Sequence, residues 1–381
     1  MDSTIPSPSA EARAAPSGPG RWLRTTRGRA VVWQVAAALA ALLLVAWAVH
    51  NAAENMAQRN IAFGFGFLAQ PAGFDIPFHL LEWETTDSYA RALLVGLCNT
   101  LLVSALSVAL ATGLGLVLAL LRLSGNPLAS GTARGLMEVI RNTPQLTQIV
   151  FWYVAVLQVL PAPRNSLTLG GAVLNVRGLI LPGPRSDLFW WVAGASVLVA
   201  FVPRLPGWLR AAVPVAGVAA AALLTEWEWP ELRGFNHVGG MRLPPELLAL
   251  TLGIGIYTSG FIAENVRASI LGVPPGQTEA ARSLGLSHGR TMRLVVLPQA
   301  LLTLIPPLTG QYLNAIKSST LGAAIAFPEV LQLFARTVLN QSGRAIEVML
   351  LVLGVFLAVN LLVSAVMARW NRRLAHRGLR R

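Results

Sequence analysis

One cysteine, one lysine and a charged fraction of only 12% are the scarcities of this 381-residue chain, and each closes off a class of protein. Cys98 stands alone in an apolar run, so neither a disulfide framework nor a thiolate metal site can form within one chain, and it reads as packing. No Gly-x-x-x-x-Gly-Lys-Ser/Thr loop occurs, so this chain is not expected to hydrolyse ATP or bind a cofactor of its own. No His, Asp or Glu cluster has metal-ligand spacing, and no Ser, His and acid set falls in one site, so neither a metal site nor catalytic residues are expected. Segments of about 10 residues with alternating polarity, which a membrane barrel needs, are missing too.

Apolar residues fill the space, at 54% of the chain with a mean hydropathy of +0.57. That is the composition of a polytopic membrane protein. A hydrocarbon layer of ~30 Å takes about 20 helical residues. Eight runs approach that length, at approximately 30–49, 93–121, 144–160, 188–202, 209–224, 247–270, 297–316 and 346–368, the fourth and fifth being short. The expectation is an all-α transmembrane bundle of about eight spans.

The formal charge of +13 is decided by placement. Tracing the runs from an inside start puts 20 of the 30 Lys and Arg on one side, nine on the other and Lys317 in or near a span; 12 of the 17 acids fall outside. The positive-inside rule then puts both termini in the cytoplasm. The excess charge is topological, and nucleic-acid binding is not expected.

Residues 1–29 mix Pro, Ser, Gly, Ala and Arg and read as a disordered basic cytoplasmic tail. The following run is too long for a signal peptide and lacks a convincing cleavage site, so 30–50 reads as a retained anchor helix. Residues 51–88 form an outside loop whose Phe63-Gly-Phe-Gly-Phe67 lacks the helix-opening third glycine of a nucleotide site; it reads as an interfacial lid of aromatics. Residues 89–370 are the main transmembrane domain, with an insertion at 161–245 that carries the two weak spans and Trp190, Trp191, Trp208, Trp227 and Trp229. A basic cytoplasmic tail, 371–381, closes the chain. Within the second run, Ala105, Ala109 and Gly113 form one stripe of small residues and Ser107, Ala111, Gly115 and Ala119 another, which lets helix backbones approach closely in lipid.

The most informative stretch is Glu279-Ala-Ala-Arg-Ser-Leu-Gly285 on an inside loop. Pro274-Pro-Gly276 stops the preceding span, Thr278 is placed as N-cap, Glu279 suits the positive first turn and Gly285 the C′ stop. The resulting helix has about two turns, near 10 Å. Ala280 and Leu284, with Ala281 beside them, give a closely approachable ridge, and Glu279 can pair with Arg282 at i, i+3. Residues alone leave connector and docking knob equally open.

Polar groups inside a membrane ask for a reason. Lys317 is the only lysine against 29 arginines, meeting a substrate carboxylate or a neighbouring acid, or snorkelling to the outer interface. With Asn314, Gln311 and Gln299 it makes a candidate substrate path. Glu138 and Arg141 are spaced as an ion pair, followed by Asn142 and by Thr143 as a cap for a helix with Pro144 at N1. Glu264 and Arg267 form a second such pair; these residues are candidates for a gate or scaffold.

Glu-Ala-Ala, three residues, Gly, nine residues, an Ile-like position, any residue and Leu297-Pro298 resembles the signature loop of ABC-importer permeases, with Val295 where Ile is usual. Gly96-Leu-Cys-Asn-Thr-Leu101, Glu138-Val-Ile-Arg-Asn-Thr-Pro-Gln-Leu146, Ala263-Glu-Asn-Val-Arg267, Ile305-Pro-Pro-Leu308 and Lys317-Ser-Ser-Thr-Leu321 are similar to the polar amino-acid subfamily. The long first loop and the mid-chain insertion look most like the Q-type permease of general L-amino-acid importers, and the resemblance covers roughly residues 51–370. It implies a five-span type I importer core in a bacterial inner membrane, embedded in lipid. It further implies a second permease, most simply a heterodimer partner, ABC ATPase subunits that use ATP and Mg, and a periplasmic amino-acid-binding protein. Glu279, Ala280, Ala281 and Gly285, with Leu297 and Pro298, then inherit the ATPase-coupling role.

Two rivals remain. An ion-coupled secondary amino-acid transporter would want acids or broken helices at repeat-related positions. Pro298, Pro306 and Pro307 interrupt the seventh run, but no earlier run has a match. A membrane scaffold would lack solute-dependent activity.

Overall fold

The computed structural model describes residues 26–58, 64–199 and 205–378. The expected disordered tail falls outside them up to residue 25. From Thr26 the chain is already helical, so the anchor helix α1, Thr26–Gln58, both starts before and ends after the expected 30–50. It belongs to a unit of its own, ending at Gly64. Its apolar stretch Gly28–Ala48 is long enough to cross a membrane.

The second unit is mostly helical. Helices α2 (Tyr89–Arg122) and α7 (Pro245–Leu271), the composite His288–Ile325 and α12 (Ala345–Gly378) contain segments long and apolar enough to span. The other three expected spans form shorter apolar helices, at Gln145–Leu157, Leu188–Val199 (α5) and Trp208–Leu224 within α6 (Gly207–Leu224). Among the described residues, five helices are long and apolar enough to span, against the expected count of about eight.

Helix α2 starts where the Ser88 side chain accepts a hydrogen bond from the Arg91 amide, a cap that satisfies one orphan donor. It packs along α7, and the two stripes of small residues part company there. Ser107, Ala111, Gly115 and Ala119 are buried, while Ala105, Ala109 and Gly113 stay exposed on this chain. A Cβ on Gly115 would come within 2.7 Å of Ile262, so glycine sets the helix–helix approach.

The loop before α2 differs from the expected interfacial lid. Phe67, Ile76 and Trp83 point inward, joining Tyr89, Val330, Phe334 and Val348 in one apolar cluster. The Trp83 indole donates to the Phe74 carbonyl at 3.3 Å, and Tyr89 donates to Gln341 at 3.0 Å. Burying a ring while its polar tip finds a partner is the usual solution for Trp and Tyr.

After α2, helix α3 (Pro127–Asn142) begins at Asn126, whose side chain accepts from the amides of Leu128 and Ala129. Helix α4 (Gln145–Val150) widens into a π-helical turn, Phe151–Leu157. The bundle is helical as expected, and the short strands among the described residues lie in the insertion. It holds eight short strands: β1 (Leu167–Leu169), β2 (Ala172–Asn175), β3 (Gly178–Leu181), β4 (Gly183–Pro184), β5 (Trp227–Glu228), β6 (Glu231–Arg233), β7 (Asn236–Val238) and β8 (Met241–Leu243). β1, β2, β3 and β8 form an antiparallel sheet in that order, with Leu179 opposite Leu243. β4 pairs with β5 and β6 with β7, while α5 and α6 pack on each other.

Helix α8 (Pro275–Ser283) and the short α9 (His288–Thr291) follow α7. A π-helical turn, Met292–Val296, leads into α10, Leu297–Ser318. Pro298 has no N–H and its ring crowds the carbonyl four residues earlier, so the widened turn sits where an α-turn would clash. Pro306 and Pro307, expected as interruptions, lie inside a continuous α10.

The break comes later. A 3-10 stretch, Ser319–Ile325, ends at Ala326 in the left-handed region, φ 58°, and the chain restarts as a π-helical Gln332–Val338 and α11 (Leu339–Ser342). Buried Asn99 donates to the carbonyls of Phe78 (2.8 Å) and Pro328 (2.9 Å), and Thr100 accepts from the Val330 amide at 3.2 Å. The fully buried Glu329 carboxylate accepts from the amides of Leu331 (2.9 Å) and Gln332 (2.7 Å). Backbone groups freed at the break are thus met by side chains, as burial requires.

Candidate functional site

Helix α8 begins at Pro275 with Pro274 as a cap that offers no side-chain bond, so Thr278 is not the N-cap but lies one turn inside. Proline at the first helical position supplies the start instead, because its missing N–H would have had no partner. The end is as expected. Gly285, φ 77°, donates to Arg282 at 2.9 Å and Leu286 to Ala281 at 3.1 Å, the paired bonds of a Schellman stop.

Nine residues make a rod of about 13 Å. Ala281 is 4% exposed and turns toward its own chain, so it anchors the rod rather than forming part of an outer ridge. Glu279, Ala280, Leu284 and Gly285 face out, Leu284 at 82% exposure. The Glu279–Arg282 pair does not occur among the described ion pairs; Ser283 Oγ instead donates to the Glu279 carbonyl at 3.0 Å. Leu297 and Pro298 are exposed at the start of α10. Between the two helices, the Thr291 amide donates to the Ser287 carbonyl at 2.8 Å, holding the loop in shape.

The expected path divides. The Gln299 side chain bonds to Val295 O (3.1 Å) and Gln277 Oε1 (3.4 Å), beside the α8 loop. Lys317 lies eighteen residues further along α10, about 27 Å away, so Gln299 is not part of one site with it. Gln311, Asn314 and Lys317 follow one another on the last turns of α10, with Asn314 and Lys317 exposed. Ser318 donates to Gln145 at 2.9 Å, which brings the start of α4 to this end of α10. Gln145 stands in the Thr-Pro-Gln motif, and nothing local in the sequence marks it as a partner for Ser318.

The gate-or-scaffold group gathers, with different pairs. Glu138 accepts from Arg134, not Arg141, at 2.9 Å, and that bond and charge raise the Arg134 guanidinium above its ordinary pKa. The Arg141 guanidinium sits over the Phe261 ring, 5.1 Å from its centre. Thr143 bonds back to Val139 at 2.7 Å and does not cap α4, which Pro144 precedes without a side-chain bond. Glu264 and Arg267 pair as expected, through two bonds of 2.6 and 3.1 Å. Glu138, Arg141 and Glu264 share a cavity of about 290 Å³ with Arg122 and Arg134, between α2, α3 and α7; Asn142 is exposed and outside its lining.

Residues 111–376 match a family described as the binding-protein-dependent transport system inner membrane component. The chain is 44% identical over 370 residues to the "Putative amino-acid ABC transporter permease protein YhdX" of Escherichia coli (strain K12), covering 91% of this chain and 94% of that protein. It is 39% identical to the general L-amino acid transport system permease protein AapQ of Rhizobium johnstonii, covering 91% and 92%. To the glutamate/glutamine/aspartate/asparagine transport system permease protein BztB of Rhodobacter capsulatus it is 32% identical over 400 residues, covering 91% and 94%.

Proposed function

The chain belongs to the family of binding-protein-dependent transport system inner membrane components and is a multi-pass permease subunit of an ABC importer, and from that premise we propose what it carries and how it is driven. Its cargo is L-amino acids of polar or broad range. The names of the relatives, which span general L-amino acids and the acidic and amide ones, support this. The same relatives are transport subunits and not enzymes, so ATP is hydrolysed, with Mg, in a separate ATPase.

The exposed rod of α8 carries the reading. Its outward Glu279, Ala280 and Leu284, stopped at Gly285, form a small, stiff projection that the chain itself leaves uncovered. Small side chains allow close approach, and a helix held at both ends passes on displacement without bending. It docks in a groove of the ATPase, and closure on ATP moves the α7–α10 pair. Both termini and α8 face the cytoplasm, in keeping with the arginine distribution. A second, distinct permease completes the membrane unit, and a periplasmic binding protein delivers the amino acid at the opposite end. Lys317, Asn314 and Gln311 lie along the substrate path; Glu138, Arg141, Glu264 and Arg267 brace the gate on the inner side.

The test is reconstitution in proteoliposomes with the ATPase, the second permease and the binding protein, using a panel of radiolabelled L-amino acids. ATP-dependent uptake of at least one, abolished by Glu279→Lys with the protein still inserted, is the expected result. Unchanged uptake by that variant removes α8 from the coupling role, and uptake driven by an ion gradient without ATPase overturns the whole reading.

A further inference from the structure

At the end of α7 remote from α8, a cavity of about 540 Å³ opens beneath the insertion sheet. That volume lies within the range of about 300–1,000 Å³ common to small-molecule sites. Its lining includes Gln158, Arg177, Arg242, Glu246, Ala326 and Pro328. Glu246 is in the first turn of α7, about 38 Å along the helix from Leu271, where the chain turns toward α8.

Charges of both signs line this cavity and do not neutralise one another. Arg177 occupies the β2–β3 turn and Arg242 lies on β8, whose pairing with β3 brings the two residues together: Arg242 Nε donates to the Arg177 carbonyl at 3.1 Å. Neither guanidinium is in an ion pair among the described residues. Half-buried Glu246, also in the lining, accepts from the Tyr153 hydroxyl at 3.0 Å and likewise has no ion-pair partner among the described residues. An anionic and a cationic wall, held apart on separate elements, are complementary to a ligand carrying one charge of each sign. Guanidinium also offers the planar donor fork that suits a carboxylate.

We infer that this cavity is a receiving site for a zwitterionic amino acid, its carboxylate on Arg177 and Arg242 and its ammonium on Glu246. The inference rests on the amino-acid reading above and adds a place where the cargo waits after release from the binding protein. The insertion thereby supplies half of the site. The floor, Ala326 and Pro328, is the helix break clamped by Asn99 and Glu329, so an occupant rests on a fixed element that follows Lys317 in the chain.

Arg177→Gln, Arg242→Gln and Glu246→Gln, each in the full reconstituted complex, test it. The readouts are uptake of the radiolabelled amino-acid panel per ATP hydrolysed, and the binding-protein concentration giving half-maximal ATPase stimulation. Loss of one charge-assisted contact is expected to lower uptake per ATP about tenfold, or about 1.4 kcal/mol, with the binding-protein concentration dependence unshifted. Arg177 is exposed and its side chain makes no hydrogen bond or ion pair among those described, so its replacement reads the site without disturbing the fold. Normal uptake per ATP in all three variants overturns the site while leaving amino-acid transport intact. A matching shift in the binding-protein dependence overturns it too, making this face a docking surface. A wild-type complex that carries no amino acid overturns both readings at once.

Discussion

Two interruptions of the helical bundle, the α8 loop and the break at 319–331, solve the same backbone problem in opposite ways. At the break, freed backbone groups are answered from within: Asn99 and Thr100 reach over from α2, and Glu329 caps the restarting helix. In the loop, only the backbone is closed, by the Gly285 stop, while Glu279, Ala280 and Leu284 are left open. A saturated interruption is built to hold its own shape. One whose side chains lack partners is built for something else to hold.

That contrast is broken or sharpened by substitution. The largest effect belongs to Gly285→Pro. Proline fixes φ near −65° against the observed 77°, at about 3 kcal/mol or more, so ATP-dependent uptake is expected to fall at least about a hundredfold with membrane insertion unchanged by fractionation. Next comes Asn99→Leu, which strands the carbonyls of Phe78 and Pro328 in the interior. At about 1–3 kcal/mol for each unmet group, the thermal midpoint of the solubilised complex should drop, while affinity for the ATPase stays put.

Glu279→Lys should do the reverse. An exposed charge change away from packing alters stability by about 0.5 kcal/mol or less, yet ATPase affinity, measured by co-purification titration, should weaken about tenfold. If Asn99→Leu weakens the ATPase and Glu279→Lys weakens the fold, the contrast is wrong. The smallest effect is expected from Lys317→Met, an exposed residue whose side chain has no described hydrogen bond or ion pair: stability should be unchanged and the uptake preference among amino acids altered. Unaltered preference removes Lys317 from the path.

The loop was legible in the sequence because its determinants are local. Gly285 as a stop, the apolar runs and the Glu264–Arg267 pair all follow from spacing along one helix. Even here the start is set by Pro275 and not by Thr278, because proline at the first helical position is the better-fitting device. What stayed hidden depends on contacts between elements. Spacing permits Glu138 to reach Arg134 or Arg141, and it pairs with Arg134 while the Arg141 guanidinium lies over the Phe261 ring on α7. The strands of the insertion are two to four residues long, too short for an alternating pattern, although the Gly170-Gly171 turn between β1 and β2 was a readable hairpin signal. Glu329 followed Pro328 ahead of an apolar run, a helix-start pattern. Its value lay in the two amides it caps, which no sequence window displays.

The central claim is tested most directly by Leu284→Cys, probed with a membrane-impermeant maleimide in the assembled complex. Labelling in inside-out vesicles stripped of the ATPase, lost when the ATPase is added back and absent from right-side-out vesicles, is the predicted result. Labelling from the outer face, or labelling indifferent to the ATPase, contradicts it.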